Sequence, residues 1–459
     1  MYKKNEIIEL TIEDMGVEGE GIGKLDGYTF FVKGALDGDR IEAKVLKANK
    51  NYGFARVERI LTPSPYRVEA QCDVSEQCGG CQLQSLSYER QLQYKQNLVD
   101  NNLRRLGGLS GYTLHPIIGM ENPFRYRNKT QFPVGQNSRG EIVTGFYAGR
   151  THSIIDTADC AIAPRINAKI IQIIKDFMRD NGIGAYDEIS HGGLVRHILI
   201  RNAFSTGEIM VCLVINGSSL PFSEDLIGRL EKVEGMAGIS LSINRDKTNV
   251  IMGSRIIHLY GKETITDYIG DLRFEISPLS FYQVNPVQTL EIYKKALEYA
   301  GLTGRETVWD LYCGIGTISL FLAGKAAKVY GVEIIPQAIE DAKKNASANQ
   351  IENVEFILGK SEEVFPQMCK EEGRIPDVVV VDPPRKGCDE KLLKAIVEVG
   401  PSRMVYVSCN PATLARDLKY MTAQGYEVRE VQPVDNFPGT VHVESVVLLS
   451  RTEGTTRAD

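Results

Sequence analysis

VWDLYCGIGT, at residues 308–317, is the stretch that decides the fold. An apolar strand runs into a glycine turn and then a helix, so the backbone can approach a ligand closely and the helix start offers unpaired N–H groups. A dinucleotide fingerprint would place a third glycine at position 319, where Ser319 stands. Glu333 ends the next predicted strand and is placed to accept hydrogen bonds from ribose hydroxyls. With Gly314 in the turn, this combination favours S-adenosylmethionine over NAD; the alternative is a tight strand–helix corner without a ligand.

The sequence around this stretch alternates predicted strands with helical patterns. Strands are predicted at 306–311, 329–333, 354–358, 378–381 and 404–408. Such alternation is typical of right-handed βαβ units in a parallel sheet, with the small-molecule site at the carboxyl ends of its strands. Two further strands, 426–434 and 441–450, have no helix between them and predict an antiparallel hairpin at one edge. The fold class is therefore α/β and Rossmann-like in this region.

Four side chains, two after predicted strands and two in the closing hairpin, are candidates for chemistry. Asp382 begins the sequence Asp-Pro-Pro-Arg directly after an apolar strand, and the prolines would stiffen the turn that aims its carboxylate. Cys409 lies between a strand and a predicted helix starting near Pro411, whose dipole would favour the thiolate. On an alternating strand, His442 and Glu444 would share one face. The alternative for Asp382 is a rigid turn without a ligand, and that for Cys409 is a buried apolar side chain. For His442 and Glu444 it is placement on the surface.

The amino-terminal sixty residues predict a small β-barrel of short strands with glycine turns. Between residues 44 and 67 there are six Lys or Arg against one acid, Glu58, with Tyr52 and Phe54 interleaved. This face could bind phosphates and stack bases, or could simply be solvated. Thr62-Pro63-Ser64-Pro65 predicts a linker, 86–106 a helix, and the following stretch to about 270 a mixed, strand-rich region.

Basic residues in the middle of the chain are less specific. They are Arg125, Arg127, Lys129, Arg196, His197 and Arg201. Such side chains could clasp RNA phosphates, although paired charges on a sheet face are the commoner outcome.

Composition narrows the class of protein. The chain has 459 residues, 43% hydrophobic and 24% charged, which is ordinary globular usage and predicts two to four domains. The formal net charge is −6, so any contact with nucleic acid must use local patches. We find neither a long apolar run nor a signal-peptide pattern, and expect a cytoplasmic protein with no membrane partner. The oligomeric state is unknown, with a monomer favoured.

Nine cysteines, an odd number, argue against a disulfide framework. Cys72, Cys78 and Cys81 have the spacing C-x5-C-x2-C, with two glycines between the last two cysteines. A fourth ligand is needed for either tetrahedral zinc or a four-iron cluster, and the spacing alone separates the two poorly. A pure packing role for three clustered cysteines is improbable.

Several of these motifs together resemble the RumA/TrmA-type RNA (uracil-5-)-methyltransferases, most closely the bacterial members that act on 23S ribosomal RNA. The matching segments are residues 281–285, 309–317, 382–385, 408–411 and 442–444, and the amino-terminal barrel is similar to a TRAM domain. The resemblance implies Cys409 as nucleophile and Glu444 as base. It also implies cofactor contacts at Gln283, Tyr312, Glu333 and Asp382, although Gln283 or Asp382 could instead bind the uracil edge.

For the cysteines, the resemblance supplies Cys160 as the fourth ligand and a [4Fe–4S] cluster as the bound group, with zinc as the alternative. It also implies three regions: a TRAM-like RNA-binding barrel over 1–62, a central mixed α+β domain with the cluster and RNA contacts over 63–275, and the S-adenosylmethionine-dependent catalytic domain over 276–459. Two other hypotheses remain open: an RNA amino-methyltransferase using the Asp-Pro-Pro-Arg motif, and a non-enzymatic iron-sulfur RNA-binding protein.

Overall fold

A closed five-stranded barrel begins the computed structural model, which describes residues 2–149 and 151–452. The ends of the predicted first and third regions, position 1 and positions 453–459, lie outside the described residues. The strands are β1 (Ile7–Met15), β2 (Gly21–Leu25), β3 (Tyr28–Lys33), β4 (Arg40–Ala48) and β5 (Tyr52–Thr62), paired in the order β1-β2-β3-β5-β4. Alternate side chains such as Ile8, Leu10 and Ile12 fill the barrel, so the polar residues between them face outward.

The middle of the chain forms one long helix and a seven-stranded sheet. Helix α1 (Tyr88–Asn101) continues into a π-helix at Asn102–Leu106, so the helix predicted over 86–106 is present with a change of pitch at its end. A short strand, β6 (Thr113–Leu114), follows. The sheet elements are β7 (Lys129–Gln136), β8 (Ile142–Tyr147), β9 (Ile154–Asp156), α2 (Ile166–Asp180), β10 (Val195–Asn202), β11 (Ile209–Ile215), α3 (Ser223–Leu230), β12 (Met236–Ile243) and β13 (Arg255–Gly261). Their strand order is β13-β12-β11-β10-β7-β8-β9.

The carboxyl-terminal part is a doubly wound sheet, preceded by a hairpin of β14 (Ile265–Ile269) and β15 (Leu272–Ile276). Its elements are α4 (Pro286–Ala300), β16 (Thr307–Leu311), α5 (Thr317–Ala323), β17 (Lys328–Glu333), α6 (Pro336–Ala348), β18 (Val354–Leu358), α7 (Ser361–Glu371), β19 (Val378–Val381), α8 (Glu390–Val399), β20 (Arg403–Ser408), α9 (Pro411–Ala423), β21 (Tyr426–Val434) and β22 (Glu444–Arg451). The strand order is β18-β17-β16-β19-β20-β22-β21-β6. Strands β16 to β20 are mutually parallel and β22 is antiparallel to both neighbours.

Both faces of this sheet are covered, as the apolar strands require. Val378 and Val380 belong to one core, whereas Val379 and Val381 belong to a second core on the opposite face. An all-valine strand is the sequence pattern of a central parallel strand buried on both sides. The predicted Rossmann-like fold and the barrel are therefore confirmed.

The edge of the sheet contains an unexpected strand. The predicted hairpin is β21 and β22, but β6 from the middle of the chain pairs beyond it through Thr113 and Leu114. Helix α1 also packs here, with Val99 buried in the second core. The first part of the middle region thus completes the carboxyl-terminal sheet. Among the described residues, no helix combines the length and apolar character needed to span a bilayer.

Candidate active site

The candidate site lies where the sheet changes direction. Strands β16 and β19 are neighbours, but the chain proceeds from β16 outward to β17 and from β19 outward to β20. A crevice forms at the carboxyl ends of strands on either side of such a switch point. The glycine turn after β16, Asp382 after β19 and Cys409 after β20 all follow these strand ends.

The glycine turn has the geometry of a ligand cradle. Gly314 and Gly316 have φ of 56° and 83°, and Tyr312 shares the left-handed region at 79°. A Cβ at Gly316 would lie 2.7 Å from the Phe356 ring, whereas the space beside Gly314 is open to 4 Å. Gly316 is therefore required by packing, and Gly314 leaves room for another molecule.

Glu333 closes the other side of this turn. Its carboxylate accepts hydrogen bonds from the backbone N–H of Gly314 at 3.2 Å and of Ile335 at 2.9 Å. The carboxylate is thereby held at the carboxyl end of β17. Because a carboxylate has about four acceptor positions, it can still accept hydrogen bonds from a diol.

Half-buried Asp382 and buried Glu444 form a pair of carboxyl groups beside Cys409. Burial, and then the charge of Asp382, raises the pKa of Glu444 to about 8. Burial, and then the charge of Asp310, raises the pKa of Asp382 to about 7. No hydrogen bond joins the Asp382 carboxylate to another described residue. Asn436 is hydrogen-bonded to the Glu444 side chain and opposes the rise in its pKa. Carboxyl groups with such perturbed pKa values in a crevice are typical of sites that act on a ligand.

Cys409 does not behave as its position before a helix predicts. Burial, followed by Glu444 and Asp382, raises the pKa of its thiol to about 11, and Arg385 opposes the shift. The expectation of a thiolate favoured by the dipole of α9 is wrong for the ligand-free protein. The physical reason is that desolvation and two nearby carboxyl groups outweigh the helix end, where Asn410 already caps Ala412 N–H.

His442 occupies a loop rather than a strand. Strand β22 begins at Glu444, so the prediction of an alternating strand with His442 and Glu444 on one face is wrong. His442 Nε2 lies 3.2 Å from a guanidinium nitrogen of Arg385. Burial and then Arg385 lower the pKa of His442 to about 4, which keeps its imidazole neutral. Arg385 is thus anchored beside Cys409, a role that the sequence did not assign to it.

Gln283 lies on the loop before α4, two residues before Asn285, whose amide donates to Asn436 O at 3.0 Å. Asn128 accounts for the loop's position: its side-chain amide donates to Gln283 O at 2.9 Å and its backbone N–H to Val284 O at 2.8 Å. The Gln283 side chain makes no hydrogen bond to the described residues and is available to a ligand. Asn128 was not singled out from the sequence, although it lies between the basic residues Arg127 and Lys129.

Asp310 was missed as a functional candidate, although a lone acid inside an apolar strand was a usable signal. Its carboxyl group is fully buried, accepts a hydrogen bond from Ser319 Oγ at 2.5 Å, and has a pKa raised to about 7 by burial. Ser319, which stands where a dinucleotide fingerprint has its third glycine, therefore donates a hydrogen bond to Asp310 beneath the glycine turn of residues 312–317. We call this turn the cofactor turn below.

The basic residues of the middle region serve the structure. Arg196 donates to the carbonyls of Asn244 and Asp246, and Arg201 to those of Pro278 and Ser280. Neither arginine forms an ion pair within the described part of the chain, so the expected pairing of charges does not account for these two; backbone carbonyls take its place.

The four cysteines lie within electrostatic range of one another. Burial, followed by smaller contributions from Cys160, Cys78 and Cys72, raises the pKa of Cys81 to about 12. Backbone N–H groups of Ile162 and Ala163 point to Cys160. However, no three His, Cys, Asp or Glu side chains among residues 2–149 and 151–452 are arranged to hold a metal ion.

Comparisons with known proteins agree with this geometry. The family model for tRNA (uracil-5-)-methyltransferase matches residues 255–452, and that for the TRAM domain matches residues 3–57. A protein of Clostridium tetani described as an uncharacterized RNA methyltransferase is 51% identical over 98% of this chain and 97% of its own. One from Halalkalibacterium halodurans is 52% identical over 97% of both chains. The chain belongs to the RumA/TrmA-type RNA (uracil-5-)-methyltransferase family.

A solved family structure extends the likeness to three dimensions. The Pyrococcus abyssi tRNA (uracil-54, C5)-methyltransferase, in complex with S-adenosyl-L-homocysteine, has a TM-score of 0.77 and 28% identity. The match covers 96% of this chain and 100% of that one. The protein is accordingly an S-adenosylmethionine-dependent RNA methyltransferase with a TRAM barrel.

Proposed function

We propose that the protein methylates C5 of a uridine in 23S ribosomal RNA through a covalent bond between Cys409 and C6 of the uracil. The observation that carries this proposal is the placement of Cys409, Asp382 and Glu444 around one crevice beside the cofactor turn. An RNA amino-methyltransferase would leave Cys409 and Glu444 without a task.

The residues of the turn suit S-adenosylmethionine, which would supply an electrophilic methyl group. Gly314 leaves open space, and Glu333 can accept hydrogen bonds from ribose hydroxyls. Ile334 and Ile335, 53% and 54% exposed at the same edge of the sheet, offer apolar surface to a purine. Tyr312 and Gln283 flank the cradle, with Gln283 also able to reach the substrate base.

Cys409 activates the uracil. Its thiolate forms an S–C6 bond, and the electron pair of the C5=C6 bond moves toward C5 and O4. C5 then bonds to the methyl carbon, and S-adenosylhomocysteine leaves. Because the thiol pKa is about 11, the thiol must lose its proton within the complex, where the guanidinium of Arg385 favours the anion.

Glu444 completes the reaction. Its carboxylate removes the C5 proton, the pair of electrons re-forms the C5=C6 bond, and the C6–S bond breaks to return the thiolate. A pKa of about 8 suits this task, because such a carboxylate accepts a proton more strongly than an ordinary one, and about a tenth of it is ionised at pH 7.

The barrel offers a surface for RNA. Phe31, Tyr52 and Phe54 form a cluster with ring centroids 5.6 to 5.9 Å apart, and the last two are 42% and 41% exposed. Lys33 and Lys47 lie on the same outward face, with Lys47 opposite Phe54 in the strand register. We name these five residues the stacking face, because aromatic rings stack on bases and lysines contact phosphates.

Transfer RNA is the second candidate substrate. The choice of 23S rRNA rests on the resemblance of the barrel and the four cysteines to the ribosomal members. The Pyrococcus abyssi tRNA enzyme nevertheless covers 96% of this chain, so the shared architecture alone does not separate the two RNAs.

We further propose that Cys72, Cys78, Cys81 and Cys160 hold a [4Fe–4S] cluster. Their mutual proximity and the N–H groups aimed at Cys160 and Cys78 suit thiolate ligands of a cluster. Among residues 2–149 and 151–452 no three His, Cys, Asp or Glu side chains converge as a metal site requires, so the choice of the cluster over zinc rests on the resemblance. We also propose that the protein is a monomer and that it is located in the cytoplasm.

The test compares the two RNAs directly. The protein is incubated with methyl-labelled S-adenosylmethionine and either 23S rRNA fragments or tRNA transcripts, and 5-methyluridine is mapped by nuclease digestion and mass spectrometry. We expect 5-methyluridine in the rRNA and none with Cys409→Ala. 5-Methyluridine found only in tRNA would show that tRNA, and not rRNA, is the substrate. Methyl label on an amine or on a ribose would contradict the proposed reaction at C5.

A further inference from the structure

The loop that leads into Glu444 is held mainly from outside itself. We define the base loop as residues 435–443, between β21 and β22. Helix α4 contributes Gln288, whose amide donates to Asp435 O at 3.0 Å, while its cap Asn285 donates to Asn436 O at 3.0 Å. These bonds satisfy the start of the loop.

A second set of contacts comes from α1 and the cysteine-bearing segment before it. Lys95 Nζ donates to Asp435 Oδ1 at 2.5 Å and to Phe437 O at 2.9 Å. Gln91 Oε1 accepts from Gly439 N–H at 2.9 Å, and Leu83 N–H donates to Gly439 O at 2.9 Å. The start and the middle of the loop are therefore held by residues more than 300 positions away in sequence.

The Lys95–Asp435 pair is the central contact of this set. Both side chains are fully buried. A buried ion pair contributes little net stability, because desolvation cancels most of the attraction, but it disfavours every arrangement in which the charges separate. Lys95 also bonds a loop carbonyl, so its ammonium joins the beginning of the loop to its middle.

We propose that Lys95 is a positioning residue that sets the base loop, and through it Glu444, at the distance needed to remove the C5 proton. This proposal rests on the proposed function. The proposal predicts an effect on only one step of the reaction, because Lys95 makes no contact with Cys409 or with the cofactor turn. Attachment of the thiol and methyl transfer depend on those groups, whereas release of the product depends on Glu444.

The test is Lys95→Met, which keeps the length of the side chain and removes its charge. With RNA and S-adenosylmethionine, we expect methylated RNA to accumulate on the enzyme as a denaturation-resistant adduct, with its release slowed by about ten- to a hundredfold, as expected for a displaced base. Adduct and free product are quantified by denaturing gel and mass spectrometry. Glu444→Gln provides the reference for a lost base.

Two further variants make the result decisive. The double variant Lys95→Met with Asp435→Asn removes both buried charges, so it leaves no unpaired charge in the interior and should fold even where the single variant does not. It should still accumulate adduct, because the hydrogen bond from Lys95 to Phe437 O is missing. Val99→Ala, a buried change one turn along α1 that leaves every polar contact of the base loop in place, should lower stability without adduct. Folded Lys95 variants that release product at the wild-type rate, or lose methyl transfer without adduct, overturn the inference. If Glu444→Gln also fails to accumulate adduct, the proposed function itself is wrong.

Discussion

Glu444 shows how position tunes a common side chain. A carboxyl group in water would be ionised at neutral pH, but burial and the neighbouring Asp382 raise the pKa of Glu444 to about 8. The charged form is disfavoured because it lacks water and lies near a second carboxylate. The same two causes raise the pKa of Cys409, so both reacting groups are held protonated until RNA enters.

A pH profile tests this tuning. Cys409 and Glu444 act in different steps, so the limiting step requires one of them to lose its proton. Single-turnover formation of product should therefore rise by about five- to tenfold per pH unit between pH 6 and pH 8 and should not fall before pH 9. Product is measured by rapid quench at saturating RNA. A rate that is flat over this range, or highest near pH 6, would show that neither Glu444 nor Cys409 limits the reaction with a raised pKa.

At the scale of single residues, the sequence singled out candidate reacting groups but did not indicate their protonation state. Cys409, Asp382 and Glu444 stand out because each follows or begins a strand at a recognisable motif. The pKa of Cys409 was expected to fall because only its helix was visible in the sequence. Its carboxyl neighbours come from strands 27 and 35 residues away, as the numbering shows, and only the fold brings them together.

Among the elements, the base loop depends on one backbone conformation. Gly439 has φ of 80°, and a Cβ there would lie 3.4 Å from Gln84 and 3.8 Å from Cys81. The left-handed conformation favours glycine, and the loop meets the cysteine-bearing segment at this point. The loop's geometry is thus coupled to the segment that carries three of the proposed cluster ligands.

Gly439→Ala should lower the free energy of unfolding by about 1–2 kcal/mol, the usual cost of placing a side chain in the left-handed region. The measurement is denaturant unfolding, combined with the adduct assay. Gly27→Ala is the matched control, since Gly27 has φ of 81° in a barrel turn with open space around it. We expect both variants to lose stability but only Gly439→Ala to retain adduct. Equal adduct in the two would contradict a role for the loop's shape.

Element prediction succeeded where the signal was local. The strands at 354–358, 378–381 and 426–434 were predicted with the bounds that the structure shows, because apolar runs ended by turn residues need no distant partner. Strand β22 was predicted three residues too early, since the apolar Val441 and Val443 extend its pattern into the base loop. Strand β6, two residues long, carries too little periodicity to be recognised.

Across the whole molecule, α1 connects the barrel to the base loop. Tyr94 OH donates to Gly16 O in the barrel at 2.8 Å, and the next residue, Lys95, holds Asp435. Arg90 pairs with Asp37 of the barrel, while Gln91 contacts Gly439. Residues four apart share a helix face, so two adjacent faces of one helix bind two different parts of the protein. No sequence signal reports contacts across 340 positions.

The stacking face should make RNA binding dependent on salt. Each lysine that contacts a phosphate adds close to one unit to the slope of log affinity against log salt concentration. Lys33→Gln with Lys47→Gln should therefore reduce the slope by about two, measured by fluorescence anisotropy across a salt series. Lys343→Gln with Lys344→Gln, two exposed lysines of α6, is the charge-matched control. An unchanged slope in the double variant would place the RNA elsewhere.

The covalent step between Cys409 and uracil is the central claim, and one measurement tests it most directly. The protein is incubated with S-adenosylmethionine and target RNA containing 5-fluorouridine, and the digested complex is sequenced by mass spectrometry. Fluorine at C5 cannot leave as a proton, so we predict a stable methylated adduct on the peptide that contains Cys409. Methyl transfer to ordinary RNA without any adduct on the fluorinated RNA would contradict the mechanism.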